Sequence, residues 1–154
     1  IFKPSRDISQ MNIDEFLKSC ENLSKNKTGA LFIIERNNSL DFVKNSGDEL
    51  YVEISSPIIE SIFFKNSPLH DGAVIIDGNF ITAARVILPI SENQNIDSRL
   101  GLRHRAAFGI TEKTDAIALV LSEENKKITF IKNGEIFSHK NLENLKTMIE
   151  AELV

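Results

Sequence analysis

The stretch "AVIIDGNFITAARVIL", residues 73–88, decides the fold class. Two apolar runs rich in β-branched residues, 73–77 and 80–88, flank Gly78-Asn79. A two-residue loop containing glycine turns a strand back on its neighbour, so the stretch predicts a hairpin inside the core. A second hairpin follows from "KITFIKN" and "EIFSH", which meet at Asn133-Gly134. Buried single strands are expected at "ALFIIER" (30–36) and "AIALVLS" (116–122). "LYVEI" (50–54), after the turn "NSGDE" (45–49), alternates as a strand does.

Helical spacing appears between these strands. Asn12 stands as an N-cap with Glu15 at capping-box distance, and Ile13, Phe16, Leu17, Cys20 and Leu23 follow, with Gly29 as the stop. Ser56 as N-cap and Pro57 at the first helical position open a helix with Ile58, Ile59, Ile62 and Phe63 on its apolar face. Another helix is expected from Leu102 to about Thr111. Asn141 caps a last one, carrying Leu142, Leu145, Met148, Ile149 and Leu153. Hairpins interleaved with helices predict an α/β protein: one globular domain, a central mixed β-sheet with helices packed around it. Residues 1–11, "IFKPSRDISQM", read as a linker from a missing N-terminal segment, and 12–154 as the domain.

The 154 residues suit a single domain with a real core. A net charge of −4 argues against a general nucleic-acid binder. Four of the six arginines nevertheless fall between residues 85 and 105, a local basic site better matched to a small anion than to a polymer. The lone Cys20 excludes an intrachain disulfide and reads as a small buried apolar residue. No apolar run approaches the roughly 20 residues that span a bilayer.

Two short motifs carry the chemistry. "GLRHRAAFG" (101–109) sets Arg103, His104 and Arg105 at the start of a helix, where free N–H groups and the helix dipole favour an anion. Arginine forks add charge-assisted bonds to phosphate oxygens. On a regular helix residues two apart do not share a face, so the two arginines flank one polyphosphate only if the backbone is not yet helical at Arg103, or if they reach different groups. By composition alone the motif is equally a solvated basic turn. "PLHDGAVI" (68–75) places Asp71 beside Gly72 and Ala73, where a ligand can approach both carboxylate and main chain. Asp71 suits a metal ligand or a base acting on a hydroxyl, with His70 as a second metal ligand; Asp-Gly is also an ordinary turn. At the end of the expected strand 116–122, Ser122 can donate to phosphate, and Glu123 or Glu124 can help hold a cation. A polar turn, "SEENKK", describes the same residues.

Together, "PLHDGAVI", "LPIS", "GLRHRAAFGI", Thr114-Asp115 and "LSEE" resemble, in order and spacing, the diadenylate cyclase (DAC) domain family. The likeness runs from about Asn12 to near the C-terminus and is closest to the membrane-anchored CdaA type. The resemblance implies condensation of two ATP into cyclic di-AMP with release of two pyrophosphates, using Mg²⁺ or Mn²⁺. It implies that Asp71 binds metal and helps activate the ribose 3′-hydroxyl, with His70 as a further metal contact. Gly72 and Ala73 would let the nucleotide approach, and Arg103, His104 and Arg105 would handle phosphate. Ser122 and Glu123 would complete the phosphate and metal region, and Leu88 would line the adenine pocket. Three positions depart from the family pattern: Leu102 replaces a threonine, Ile87 replaces an aromatic tyrosine, and Arg85 stands where small residues are usual. The resemblance also implies a cytoplasmic domain tethered to the membrane only through the missing N-terminal segment.

One motif of each kind offers one nucleotide site, whereas a cyclic dinucleotide needs two ATP molecules. A two-fold homodimer meeting site to site meets that need, because an isologous interface presents the same patch twice. Two rival expectations are a nucleotide-binding module without turnover and an interaction domain whose arginines dock an acidic partner.

Overall fold

A computed structural model describes residues 10–153. The elements run α1 (Ile13–Lys25), β1 (Ala30–Ile34), α2 (Asp41–Lys44), β2 (Asp48–Glu53), α3 (Ser56–Phe63), β3 (Ala73–Asp77) and β4 (Phe80–Val86). They continue α4 (Leu102–Lys113), β5 (Ile117–Leu121), β6 (Ile128–Lys132), β7 (Glu135–Phe137) and α5 (Leu142–Glu152). The seven strands form one sheet in the order β2-β4-β3-β1-β5-β6-β7. β1 and β3 pair in parallel, and every other neighbouring pair is antiparallel. The mixed sheet expected from the interleaved hairpins and helices is therefore the observed one.

Burial on both faces explains why the central strands carry unbroken apolar runs. In β1, Phe32 and Ile34 join the core beneath α1, α3 and α5, while Leu31 and Ile33 join a second core beneath α2 and α4. β5 divides likewise, Leu119 and Leu121 to the first core, Ala118 and Val120 to the second. Cys20 is fully buried, and burial pushes its thiol far above the ordinary range, so it is inert packing. Met11 also packs into the first core, one residue ahead of the expected domain start. Gln10 is exposed, and the remaining residues of the expected linker, 1–9, lie outside the described residues.

The local signals hold with instructive corrections. Asn12 caps α1 by accepting from the Glu15 N–H. Glu15 does not close the box; its carboxylate reaches the Ser56 N–H at 3.4 Å, joining the starts of α1 and α3. The Asn12 N–H is satisfied instead by the Asn79 side chain at the tip of the β3–β4 hairpin, 2.8 Å away. Ser55, not Ser56, caps α3, because its hydroxyl accepts from the Ile58 N–H. α1 stops at Lys25, and the left-handed residue beyond it is Lys27 (φ 52°), not Gly29. The short α2 carried no sequence signal. It is fastened by a buried ion pair, Lys44 Nζ to Glu35 Oε1 at 2.9 Å.

Candidate active site

Two crossings shape the molecule's large cleft. After β4, the segment 88–91 passes over α4. The Ser91 N–H donates to the Arg105 carbonyl at 3.1 Å, and the Ser91 hydroxyl donates to Glu112 at 2.8 Å. Gly109 makes this crossing fit, since a Cβ there would stand 1.9 Å from the Pro89 carbonyl oxygen. The segment holds Leu88 buried in the second core while Ile87 projects, 72% exposed. Opposite, the end of β5 delivers Ser122 and Glu123 to the same space. The cleft measures about 1550 Å³, above the ~300–1,000 Å³ of ordinary ligand pockets.

The structure brings most of the expected residues together here. Arg103, His104 and Leu102, from the first turn of α4, line the cleft. So do Ile87, Leu88 and Gly72 on one side, and Ser122 and Glu123 on the other. Gly101 precedes α4 in extended conformation and no side chain caps the helix, so its first N–H groups remain available to a ligand. Leu102, 75% exposed, adds an apolar wall where a hydroxyl was the family expectation.

Arg103 and Arg105 part company, as their spacing on a regular helix requires. Arg103 Nη1 lies 3.5 Å from Glu123 and faces the cleft. Arg105 does not line it; its Nε donates to the Leu100 carbonyl at 3.3 Å and its Nη2 to the Asp97 carbonyl at 3.4 Å. It therefore braces the loop that leads into α4. Arg99 forks onto Asp97 within that loop and holds its carboxyl down to about 2. Arg85 sits outside the cleft and forks onto Asp48, Nε to Oδ2 at 2.8 Å. Burial, and next the Arg103 charge, hold His104 below the ordinary imidazole range, so at neutral pH it carries one N–H and one lone pair.

Asp71 is not among the residues that line the cleft; it directly precedes Gly72, which does, and its side chain is 81% exposed. His70 Nδ1 lies 2.6 Å from the Ser67 carbonyl oxygen, which can only accept, so Nδ1 carries the proton. In a neutral ring that leaves the Nε2 lone pair pointing at Asp71 Oδ1, 3.2 Å away. Two acceptors face each other there, an arrangement satisfied by a proton or a cation between them. Ala73 is fully buried in the sheet and packs in the second core. Gly72 has a positive φ of 80°, and a Cβ there would stand 2.6 Å from the Val86 carbonyl oxygen. It is thus pressed against β4 as well as bordering the cleft. The Ser122 hydroxyl oxygen accepts from the Glu124 and Asn125 N–H groups, which leaves its own proton to give.

Sequence reasoning missed Gly29. It was read as a helix stop, yet a Cβ on it would meet the Arg103 guanidinium at 2.5 Å. No local signal announces it, because its neighbour Arg103 lies far along the chain. Asp115 also gains a defined part: its carboxylate accepts from the Asn37 and Asn38 N–H groups, clasping the β1–α2 loop far from the cleft's chemistry.

Comparison with known proteins matches residues 17–136 to the family DAC, described as DisA bacterial checkpoint controller nucleotide-binding. The chain is 40% identical over 149 residues to cyclic di-AMP synthase CdaA of Bacillus subtilis, covering 97% of this chain and 55% of that protein. It is 42% identical over 142 residues to a diadenylate cyclase of Listeria monocytogenes, covering 92% and 52% respectively. The chain thus spans about half the length of these relatives. Among solved structures, DacA from Staphylococcus aureus, as a double mutant, superposes with a TM-score of 0.87 at 34% identity, covering 91% of this chain and 93% of that one. A hypothetical membrane spanning protein from Bacillus cereus superposes with a TM-score of 0.82 at 39% identity, covering 86% and 65%. The match over most of the chain and the shared fold establish that this protein is a member of the DAC family.

Proposed function

We propose that this domain condenses two ATP molecules into cyclic di-AMP. The observation that carries the reading is the cleft in which the uncapped start of α4, Arg103, Ser122 and an apolar wall at Ile87 and Leu88 converge, with Gly72, the residue after Asp71, on the same wall. Arg103, Ser122 and the first N–H groups of α4 bind the triphosphate, and Leu88 and Ile87 border the base. His104, neutral, donates one hydrogen bond to a phosphate oxygen. Arg105 acts by bracing the 97–100 loop.

The reaction forms a bond between a ribose 3′-oxygen and an α-phosphorus. It breaks the bond from that phosphorus to the bridging oxygen, and pyrophosphate leaves with the electron pair. Asp71 receives the 3′-hydroxyl proton. Each cleft holds one ATP, so the attacking hydroxyl comes from the ATP of a second copy, two clefts facing across a two-fold axis. Orienting both reactants supplies about 7–11 kcal/mol of the barrier as effective concentration.

A divalent cation fits the acidic rim. His70 Nε2 and Asp71 Oδ1 converge, with the Ser67 carbonyl fixing the histidine tautomer as a supporting partner does in metal sites. Among the described residues no group of three or more His, Cys, Asp or Glu side chains could hold a metal by itself. Asp71 supplies the oxygen donor that Mg²⁺ or Mn²⁺ takes, and such ions complete their shell with substrate phosphates and water. Bound there, the ion would neutralise phosphate charge and lower the pKa of the attacking hydroxyl.

No described helix is long and apolar enough to cross a membrane. The membrane tether, with the domain on the cytoplasmic side where ATP is found, is assigned to the part of the relatives that this chain does not span. Incubation with ATP and Mn²⁺ followed by mass spectrometry tests the activity: cyclic di-AMP is expected, and ATP bound but unchanged identifies a binding module instead. Face-to-face catalysis further requires specific activity to fall on dilution below the dimer dissociation constant. A flat profile there removes the two-copy arrangement.

A further inference from the structure

We propose that Gly29, at the entry to β1, is a positioning residue for Arg103. It leaves open the space in which that guanidinium lies ready for phosphate. The inference rests on the assignment of Arg103 to the nucleotide.

A Cβ on Gly29 would find Arg103 Nη1 at 2.5 Å, Cζ at 2.6 Å and Nη2 at 2.9 Å. All three nearest atoms belong to one guanidinium, so its plane covers the bare Cα. Glu123 stands near the same group, 3.5 Å from Nη1. The arginine side chain is 32% exposed, which keeps an edge open to the cleft. Arginine loses substantial rotamer freedom on being fixed, and a slot that fixes it before the ligand arrives removes that cost from binding.

Backbone conformation places no demand for glycine at this position. The positive-φ glycines among the described residues are Gly72, Gly78 and Gly134, so the Gly29 backbone is one that any residue adopts. Lys27, not Gly29, takes the left-handed turn after α1. The contrast with Gly109 is direct. There the added Cβ meets the Pro89 carbonyl oxygen, which is backbone and cannot swing away. At Gly29 it meets the far end of a long side chain, which can. Gly29→Ala should therefore leave the fold intact and dislodge Arg103.

The test is a double-mutant cycle on Gly29→Ala and Arg103→Ala. It reads the melting temperature, cyclic dinucleotide formation, and the dissociation constant for the α,β-methylene analogue of ATP with Mg²⁺. Gly29→Ala is expected to keep its melting temperature. Loss of one charge-assisted contact should weaken analogue binding about tenfold or more. In the Arg103→Ala background it should weaken binding no further. Additive losses, unchanged binding in the single variant, or an unfolded Gly29→Ala protein each overturn the proposal. Analogue binding separates this from the reaction itself: a wild type that binds the analogue without making product refutes the cyclase and leaves the Gly29 cycle decisive.

Discussion

The two ends of the cleft are built by different means. At the acidic end the main chain does the positioning. Gly72 takes φ 80° and lies against the β4 backbone, while Arg85 within β4 takes φ 57° and the β3–β4 register shifts twice. Asp71 projects from that fixed backbone with little else to hold its carboxylate. At the basic end the backbone is a regular helix and side chains do the positioning. Arg103 lies over Gly29 and near Glu123, and Arg105 is drawn to the 97–100 carbonyls. A substitution at the acidic end thus disturbs the fold unless it spares the backbone, whereas one at the basic end mainly misdirects a charge.

Asp71→Asn gives the largest expected effect if the proposed reaction holds, because it keeps shape and backbone while removing the proposed proton acceptor and a negative charge from the proposed metal site. Removing a general base costs about 10²–10⁴ in rate. Product formation should fall by at least that factor while ATP affinity, carried mostly by the other end, changes little. Equal losses in turnover and in affinity would break the division between the two ends. Gly72→Ala comes next and strikes the fold. An L-residue is strained at positive φ, and the added Cβ meets backbone that cannot rotate away. Overpacking of this kind costs about 1–3 kcal/mol, read as a lowered melting temperature. Gly29→Ala, with the same chemistry at the other end, should show no such drop. That pair of melting curves is the sharpest test of the contrast.

At the basic end the two arginines should separate in kinetics. Arg103→Ala removes a group that faces the cleft, so under the proposed function ATP affinity should fall about tenfold or more. Arg105→Ala removes two long hydrogen bonds to loop carbonyls and should cost less, by loosening the approach to α4. Steady-state KM and kcat for both variants check this; equal losses would mean that both guanidiniums reach phosphate.

How much of this was legible depended on the range of each interaction. The hairpin at Gly78-Asn79, the buried strands and the cap at Asn12 are set within a few residues, and all appear, though the strands are shorter than read: β4 ends at Val86 instead of residue 88, β1 at Ile34 and β5 at Leu121. The motif positions were legible because their chemistry is local, but the arginine spacing left two arrangements open, and only the regular helix from Leu102 decides between them. What stayed hidden depends on residues far apart in the chain. The buried Lys44–Glu35 pair that holds the four-residue α2 has no local signature. Glu123 arrives beside Arg103 only because β5 runs next to β1, so a basic knot with no acid in its own segment gains one from the fold. Gly29 was misread for the same reason: a helix stop is the local meaning of glycine, and its actual neighbour lies 74 positions onward at residue 103.

Arg85 carries the smallest expected effect and probes the acidic end most finely. Its left-handed backbone is uncommon for a residue with a side chain, and its fork onto Asp48 lies at the surface. Each side chain is about half exposed, so salt screens the pair and it contributes little to stability. Arg85→Gly relieves the strained φ but frees the unfolded chain, two effects of opposite sign and similar size. The melting temperature should therefore move by no more than about 3 °C, and its dependence on salt should flatten as the ion pair is lost. Arg85→Val, which keeps the strain and adds branching at Cβ, should lower the melting temperature clearly more than Arg85→Gly. If the two variants melt alike, the ion pair rather than the backbone holds the bulge, and the account of the acidic end as a main-chain construction fails at its most strained residue.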